Sequence, residues 1–263
     1  MMKSVLLVPG LIVAGGLAMS GALQAADGGG NGSACAGLPS HAALQGALSS
    51  AQGQGNGGFG LEMWATVVNR DGIVCAVAFT GASRGDQWPG SRVISAQKAN
   101  TANAFSLPAL ALSTANLYSA VQPGGTLFGL QESNPVNTAV AYGGNPSHAG
   151  QANDPMVGGR IGGVNVFGGG LALYNAEGTL VGAVGVSGDS SCADHNIAWR
   201  VRSTLELDYV PAGVSGDATR PDNIVYDITP QAGQMPGVSA HGWGHPACGE
   251  DATAIAADLP ATR

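Results

Sequence analysis

Residues 61–80 read LEMWATVVNRDGIVCAVAFT, two apolar runs of strand length separated by Asn69-Arg70-Asp71-Gly72. Asp-Gly between apolar runs is what a tight hairpin turn selects, so 61–68 and 73–80 are predicted to pair antiparallel. Side chains alternate along a strand, so Cys75, Val77 and Phe79 would share one face and Val74, Ala76 and Ala78 the other. Both sets are apolar, and both faces of the sheet are therefore expected to be covered. The flanking sequence supplies the cover. Residues 41–51 place Leu44, Ala47, Leu48 and Ala51 at helical spacing, and 91–105 run without Gly or Pro and are rich in Ala. A further helix is expected from Ser106, with Pro108 in its first turn, to Tyr118. A second hairpin is expected around Asn175-Ala176-Glu177-Gly178, joining 171–174 to 179–186, and then a helix to about residue 207 capped by Ser190 or Ser191. Hairpins with helices between them argue an α+β fold with an antiparallel sheet and helices on both faces.

The rest of the chain is less regular. Residues 122–163 are dominated by Gly, Pro, Asn and Asp, too long for an ordinary connection and hence a candidate functional loop. Residues 211–263 carry few apolar side chains and are expected to wrap the surface or stay mobile. At the other end, Lys3, a short apolar run over 5–14 broken by Pro9 and Gly10, and Ala22-Leu23-Gln24-Ala25 make residues 1–25 a cleavable export signal. That run is too short and interrupted to span a bilayer. The expected organisation is a signal at 1–25, a Gly-rich leader at 26–37, a domain at 38–208 and a C-terminal extension at 209–263.

Charged residues are 10% of the chain, the formal net charge is -7, and Lys98 is the one lysine after Lys3. Nucleic acid and anionic membrane surfaces recruit basic patches, so neither is an expected partner. Export to an oxidising compartment, periplasmic or extracellular, would turn Cys35, Cys75, Cys192 and Cys248 into two disulfides. Three pairings are open; Cys35 with Cys75 and Cys192 with Cys248 would tie down the loose ends.

Several short motifs read as structure. Gly81-Ala82-Ser83-Arg84-Gly85 matches G-x-S-x-G, but the residues after it delay any helix, so an exposed loop is expected in place of a nucleophile elbow. Gly53, Gly55 and Gly58 precede a strand and open no helix, which removes the dinucleotide reading. His241, His245 and Cys248 have donor chemistry for zinc, against which stands a tail stapled by a disulfide. Asp194 sits where a helix N-terminus favours an acid, and His195 is either an iron ligand or a loop anchor. No C-x-x-C-H occurs, so a c-type haem attachment is excluded.

Four blocks together resemble the GlcG/HbpS/PduO-C-like haem-binding family: VVNRDG at 67–72, SAQKANTA at 95–102, GGTLF at 124–128 and VGAVGVSG at 181–188. The resemblance spans about 38–207, with an insertion over about 131–165 that compact members lack. It implies a five-stranded antiparallel sheet between helices in α/β/α layers, assembly into homo-oligomers, and non-covalent haem. It also implies an iron contact from Thr126, with Phe128 beside it. In an exported relative two acidic residues one helical turn apart bind free iron; the matching positions here are Val93 and Ala96, which lack that chemistry. Lys98, Arg70 and Arg92 are candidate partners for haem propionates, since basic groups hold carboxylates. The insertion adds His148 and Met156 as alternative iron donors. Three functions follow: an exported protein that stores, senses or buffers haem or a similar flat ligand; an enzyme degrading haem or acting on a small organic molecule, although no acid, base and nucleophile set is recognisable; or a ligand-free accessory protein.

Overall fold

The computed structural model describes residues 34–263, so the expected signal at 1–25 and most of the leader at 26–37 lie outside the described residues. Along the chain the elements are α1 (His41–Gln52), β1 (Trp64–Asn69), β2 (Val74–Phe79), α2 (Ser91–Phe105), α3 (Thr138–Tyr142), β3 (Gly170–Tyr174), β4 (Leu180–Ser187), α4 (Ser191–Thr204), β5 (Ile228–Gln231), β6 (Gln234–Ser239) and α5 (Glu250–Ala257). None of the described helices is long and apolar enough to cross a membrane.

Both hairpins form where the turn chemistry puts them. Gly72 N–H donates to Asn69 O at 3.0 Å, the Asn69 side-chain oxygen accepts from the Asp71 and Ile73 amides, and Gly72 takes φ +74°, a conformation that side chains resist. Asn175 and Gly178 repeat the arrangement between β3 and β4. β1 also pairs with β4, giving a four-stranded sheet of order β2-β1-β4-β3, antiparallel throughout.

Four strands, not the five implied by the resemblance, make this sheet; the sequence itself marks only four. Beyond β3 the chain returns from α4 through Glu206 (φ 56°) and makes a single parallel bridge, Asp208 to Tyr174. Val210 then bonds back to Asp208 O, and Pro211 has no N–H with which to continue a ladder. A separate two-stranded sheet, β5–β6, lies in the extension.

The sheet is covered on both faces, as the apolar alternation requires. Ala65, Val67, Ala78, Leu171, Leu173, Val184 and Val186 pack with Leu44 and Leu48 of α1 and Ile197, Ala198 and Val201 of α4. Trp64, Val68, Val77, Phe79 and Ala183 pack on the other side with Val93, Ala96, Ala99 and Ala102 of α2, and the insertion adds Met156 and Ile161 to that cluster. The alternation breaks between β1 and β2, and again between β3 and β4, where Leu173 pairs with Gly182 and Tyr174 with Leu180. Val67 pairs with Ala76 and Val68 with Val74, so Cys75 is the extra residue of a β-bulge. Cys75 is disulfide-bonded to Cys35, and the second bridge joins Cys192 to Cys248. Each bridge closes a loop of 40 or 56 residues, which restricts the unfolded chain by about 4 kcal/mol on the chain-entropy view.

Two expectations fail for identifiable reasons. Residues 106–118 are not one helix. Pro108 disfavours helical backbone at Leu107, Leu107 and Leu110 close a turn on each other, and the Ser106 hydroxyl bonds both the N–H and the C=O of Leu112. Ser113 and Asn116 then form a capping box that starts a short 3₁₀ turn, Thr114–Leu117. The extension does more than wrap the surface: Ile224, Ala252, Ala256 and Leu259 enter the core beside α1 and α4. Its apolar residues are few, but the spacing of 252 and 256 puts two on one face of α5, and Leu259 follows just past the helix end.

Glycine governs how closely α2 approaches the sheet. A Cβ on Gly185 would overlap Ser95 O and stand 2.5 Å from Ala99 N; one on its cross-strand partner Gly170 would stand 2.5 Å from Lys98 O. Gly185→Ala should lower unfolding stability by about 3 kcal/mol, because backbone cannot yield as a side-chain tip does. Gly178→Ala, with open space around it but φ +72°, should cost only about 1 kcal/mol. Urea unfolding of the two variants measures the contrast, and equal losses would refute the packing argument.

Candidate functional site

The residues singled out by sequence are spread over several places. Lys98 and His195 lie in a buried polar seam at the β3 end of the sheet. Lys98, 1% exposed, sends its ammonium to Asp194 Oδ2 at 2.7 Å and Val186 O at 3.1 Å. The passage is opened by Gly168, Gly169 and Gly170. A Cβ at Gly168 would overlap Ser191 O, and one at Gly169 would stand 3.2 Å from Lys98 Nζ. Asp194 Oδ1 accepts from the Asp189 N–H at 2.9 Å. The Lys98 charge is thus met inside the fold, joining a helix on one face of the sheet to a helix on the other. Burial pushes the Asp194 carboxyl up to about 6, against the opposing pull of Lys98 and the Asp189 amide.

His195 is fully buried beside this pair. Its Nε2 lies 3.1 Å from Asn223 Oδ1 and 3.2 Å from the Ile224 nitrogen, whose N–H Asn223 Oδ1 also accepts, and Nδ1 has no partner among the described residues. Asn223 in turn donates to Ala256 O and its own carbonyl accepts from Asn116. The ring therefore holds the extension to α4. A second bond does the same: Arg202 grips Asp222 with both terminal nitrogens, at 2.6 and 2.8 Å, and stacks over Trp199. His245, 2% exposed, donates from Nδ1 to Pro246 O and accepts the Gly168 amide on Nε2. Of the other tail donors, Cys248 is in its disulfide and His241 pairs with Asp227.

Thr126 and Phe128 occupy the second place, an outward turn after the 3₁₀ segment. Gly125 fixes that turn, since a Cβ there would overlap Ala120 O, the atom that accepts the Leu127 N–H at 2.8 Å. Leu127 and Leu130 tuck against Leu112, Leu117, Val121, Val164 and Val166. The residues on either side of Leu127 consequently face solvent: Thr126 is exposed with no hydrogen bond from its hydroxyl to any described residue, and Phe128 is 65% exposed. Phe167, which stacks at a tilt on Tyr118, is a further exposed aromatic ring of this region. A groove of about 280 Å³ separates Gly124 and Gly125 from Val238 and Gly242 of the extension.

The remaining candidates are elsewhere. Arg70, exposed at the β1–β2 turn, bonds the Asn103 carbonyl and side chain at 2.5 and 2.7 Å. Arg92 clamps the insertion: its Nε meets Asp154 at 2.8 Å, a second nitrogen pairs with the same carboxylate, and a third reaches Ala141 O. Met156 is buried and His148 is half-buried in a 3₁₀ turn, Pro146–His148. Val93 and Ala96 face the core, away from any surface role. Ser83 lies in an exposed loop bonded to Asp86, as expected for a G-x-S-x-G match without a partner histidine. Sequence reasoning passed over Asp222, Asn223 and the glycine run at 168–170. A charged residue in an apolar stretch, such as Arg202, was the available sign that a distant acid must answer it.

A profile of the family described as "Haem degrading protein HbpS-like" matches residues 40–202. Among solved structures, the chain is similar to PduOC in complex with haem (22% identity, 64% of this chain and 94% of that one, TM-score 0.45). It is also similar to the Klebsiella pneumoniae protein ORFY (24%, 64% and 90%, TM-score 0.43) and to a double mutant of Streptomyces reticuli HbpS (18%, 63% and 83%, TM-score 0.41). No curated protein matches.

Two outcomes follow from the seam. Lys98→Met strands the Asp194 carboxylate and should cost about 3 to 5 kcal/mol, whereas Lys98→Met with Asp194→Leu should recover much of it; thermal unfolding decides, and no recovery would mean the pair matters for more than charge. The second concerns acid. Burial holds His195 down to about 3 and His245 down to about 4, so each stays neutral in the fold and takes a proton near 6.5 when unfolded. Their contribution is complete above pH 6.5 and is lost towards pH 4 at about 1.4 kcal/mol per unit each. Asp194, raised, works oppositely: its contribution is present below pH 4 and fades as pH rises through 6. Two histidines outweigh one aspartate. Urea midpoints should fall between pH 6.5 and 4, and His245→Gln, which keeps an acceptor for Gly168, should flatten that fall.

Proposed function

The chain belongs to the family of HbpS-like haem-degrading proteins, and from that premise we propose that it is an exported protein that binds haem non-covalently and stores, senses or buffers it. The observation that carries the reading is the turn at 124–128: an exposed hydroxyl with no partner among the described residues, followed by an exposed phenyl ring, both set outward by Gly125 and the tucked Leu127. Thr126 supplies the oxygen donor, and Phe128 an apolar face for a flat macrocycle. When bound, haem would bring redox-active iron to this surface. A hydroxyl is a weak donor compared with His, Cys or Met, so apolar contact provides most of the affinity.

The propionates are the poorer part of the fit. Lys98 is buried against Asp194 and brings no cation to the turn, whereas Arg70 keeps its charge, since the Asn103 groups it bonds are neutral. Two disulfides agree with export. Homo-oligomeric assembly belongs to the same proposal, since Phe128 and Phe167 offer apolar surface that another copy would cover.

Hemin titrated into the purified protein should give a saturable Soret change at one per chain. Thr126→Ala and Phe128→Ala should each weaken it about tenfold, while Arg92→Gln leaves it intact. Absence of saturation removes the proposal. Decay of the band with ascorbate, faster than for hemin alone, would replace storage with degradation.

A further inference from the structure

The insertion builds a slot that the haem reading does not use. It lies between the start of α2, the 81–90 loop and residues 141–155, and encloses about 410 Å³, a volume within the range of small-molecule sites. Trp64 closes its floor against Phe79, with ring centroids 5.2 Å apart. Pro146 and Pro155 make rigid walls, and Tyr142, 71% exposed, stands at the edge.

The slot is fixed before anything enters. Asp154 holds Arg92 through two nitrogens and accepts the Gly150 and Met156 amides at 2.6 and 2.8 Å, so the segment that forms one wall is clamped to α2. Gly144 sits against the Pro155 ring and Gly150 against Phe79 and Trp64, each with positive φ, which leaves the backbone little room to shift. A preformed cavity loses less ordering entropy on binding.

Charge then selects the ligand. Arg92 is neutralised by Asp154. Arg84, exposed at the mouth, makes no ion pair or side-chain hydrogen bond among the described residues. The adjacent acid, Asp86, does not meet it, because its carboxylate accepts from the Ala82 and Ser83 amides and the Ser83 hydroxyl. One unanswered cation beside flat apolar walls calls for one negative charge on a flat apolar body.

We propose that this slot binds a small aromatic monocarboxylate, its ring system between Tyr142 and the proline walls and its carboxylate on Arg84. The site is separate from the Thr126 turn. Arg92 is the second residue of α2, whereas Phe105, its last, packs with the Leu127 cluster, and fifteen residues at about 1.5 Å each put about 20 Å between the two ends.

Isothermal titration of the purified protein with 2-naphthoate tests it. Saturable one-to-one binding is expected, about tenfold weaker for uncharged 2-naphthalenemethanol and for Arg84→Gln, and several-fold weaker for Tyr142→Ala. Both substitutions are at exposed positions and should leave the melting temperature unchanged. Thr126→Ala, or prior loading with hemin, should leave naphthoate affinity as it was, so failure of the haem proposal would not touch this one. The proposal is overturned by no saturation into the millimolar range, by equal affinity for the alcohol, by an unaltered Arg84→Gln, or by displacement of naphthoate by hemin.

Discussion

The Lys98–Asp194 pair places a charge from α2 and a charge from α4 in contact inside the protein, where neither has water to fall back on. Removing either would leave the other uncompensated, so the pair permits only those arrangements of the two helix layers that keep the contact. Much of the surrounding sequence serves that demand. The glycines at 168–170 give the ammonium its path, Gly170 and Gly185 let the α2 backbone settle on the sheet, and the Asp189 amide bonds the second carboxylate oxygen. Burial pushes that carboxyl up to about 6, outweighing the opposing pull of the Lys98 ammonium.

On this frame the two irregular segments act differently from ordinary loops. The extension is fastened to α4 by His195 to Asn223, Arg202 to Asp222 and Cys192 to Cys248, each buried or covalent, and it adds apolar residues to the core beneath. The insertion is fastened to α2 by Arg92 to Asp154 and adds Met156 and Ile161 to the opposite core. Each segment brings its own acid or amide to a cation or imidazole on a regular helix. The Thr126 turn and the slot near Arg84 lie outside these contacts, towards opposite ends of α2. The two proposed binding sites fall there, beside a hydroxyl and a guanidinium that have no partner among the described residues.

Sequence patterns were legible where a local rule sufficed. Asn69 to Gly72 and Asn175 to Gly178 carry their turn in four residues, and 91–105 form a helix with the bounds that the absence of Gly and Pro suggests. They failed where a residue served a distant partner. Cys75 lies on the bulge that breaks the alternation read from Val74 to Phe79, and it faces its disulfide partner. Ser106 has the chemistry of a helix cap but bonds Leu112 across a turn. Lys98 has the chemistry of a propionate anchor, yet 96 residues separate it from the aspartate it meets.

By itself, then, the sequence determined the class of fold, the two hairpins, three of the principal helices and the requirement that both sheet faces be covered, since periodicity and turn residues act over a few positions. Only the tertiary structure decided that the sheet has four strands, which cysteines pair, that the tail enters the core, and which charges are answered inside the protein. Those outcomes depend on contacts between residues far apart in the chain, and no local pattern encodes the distance between them.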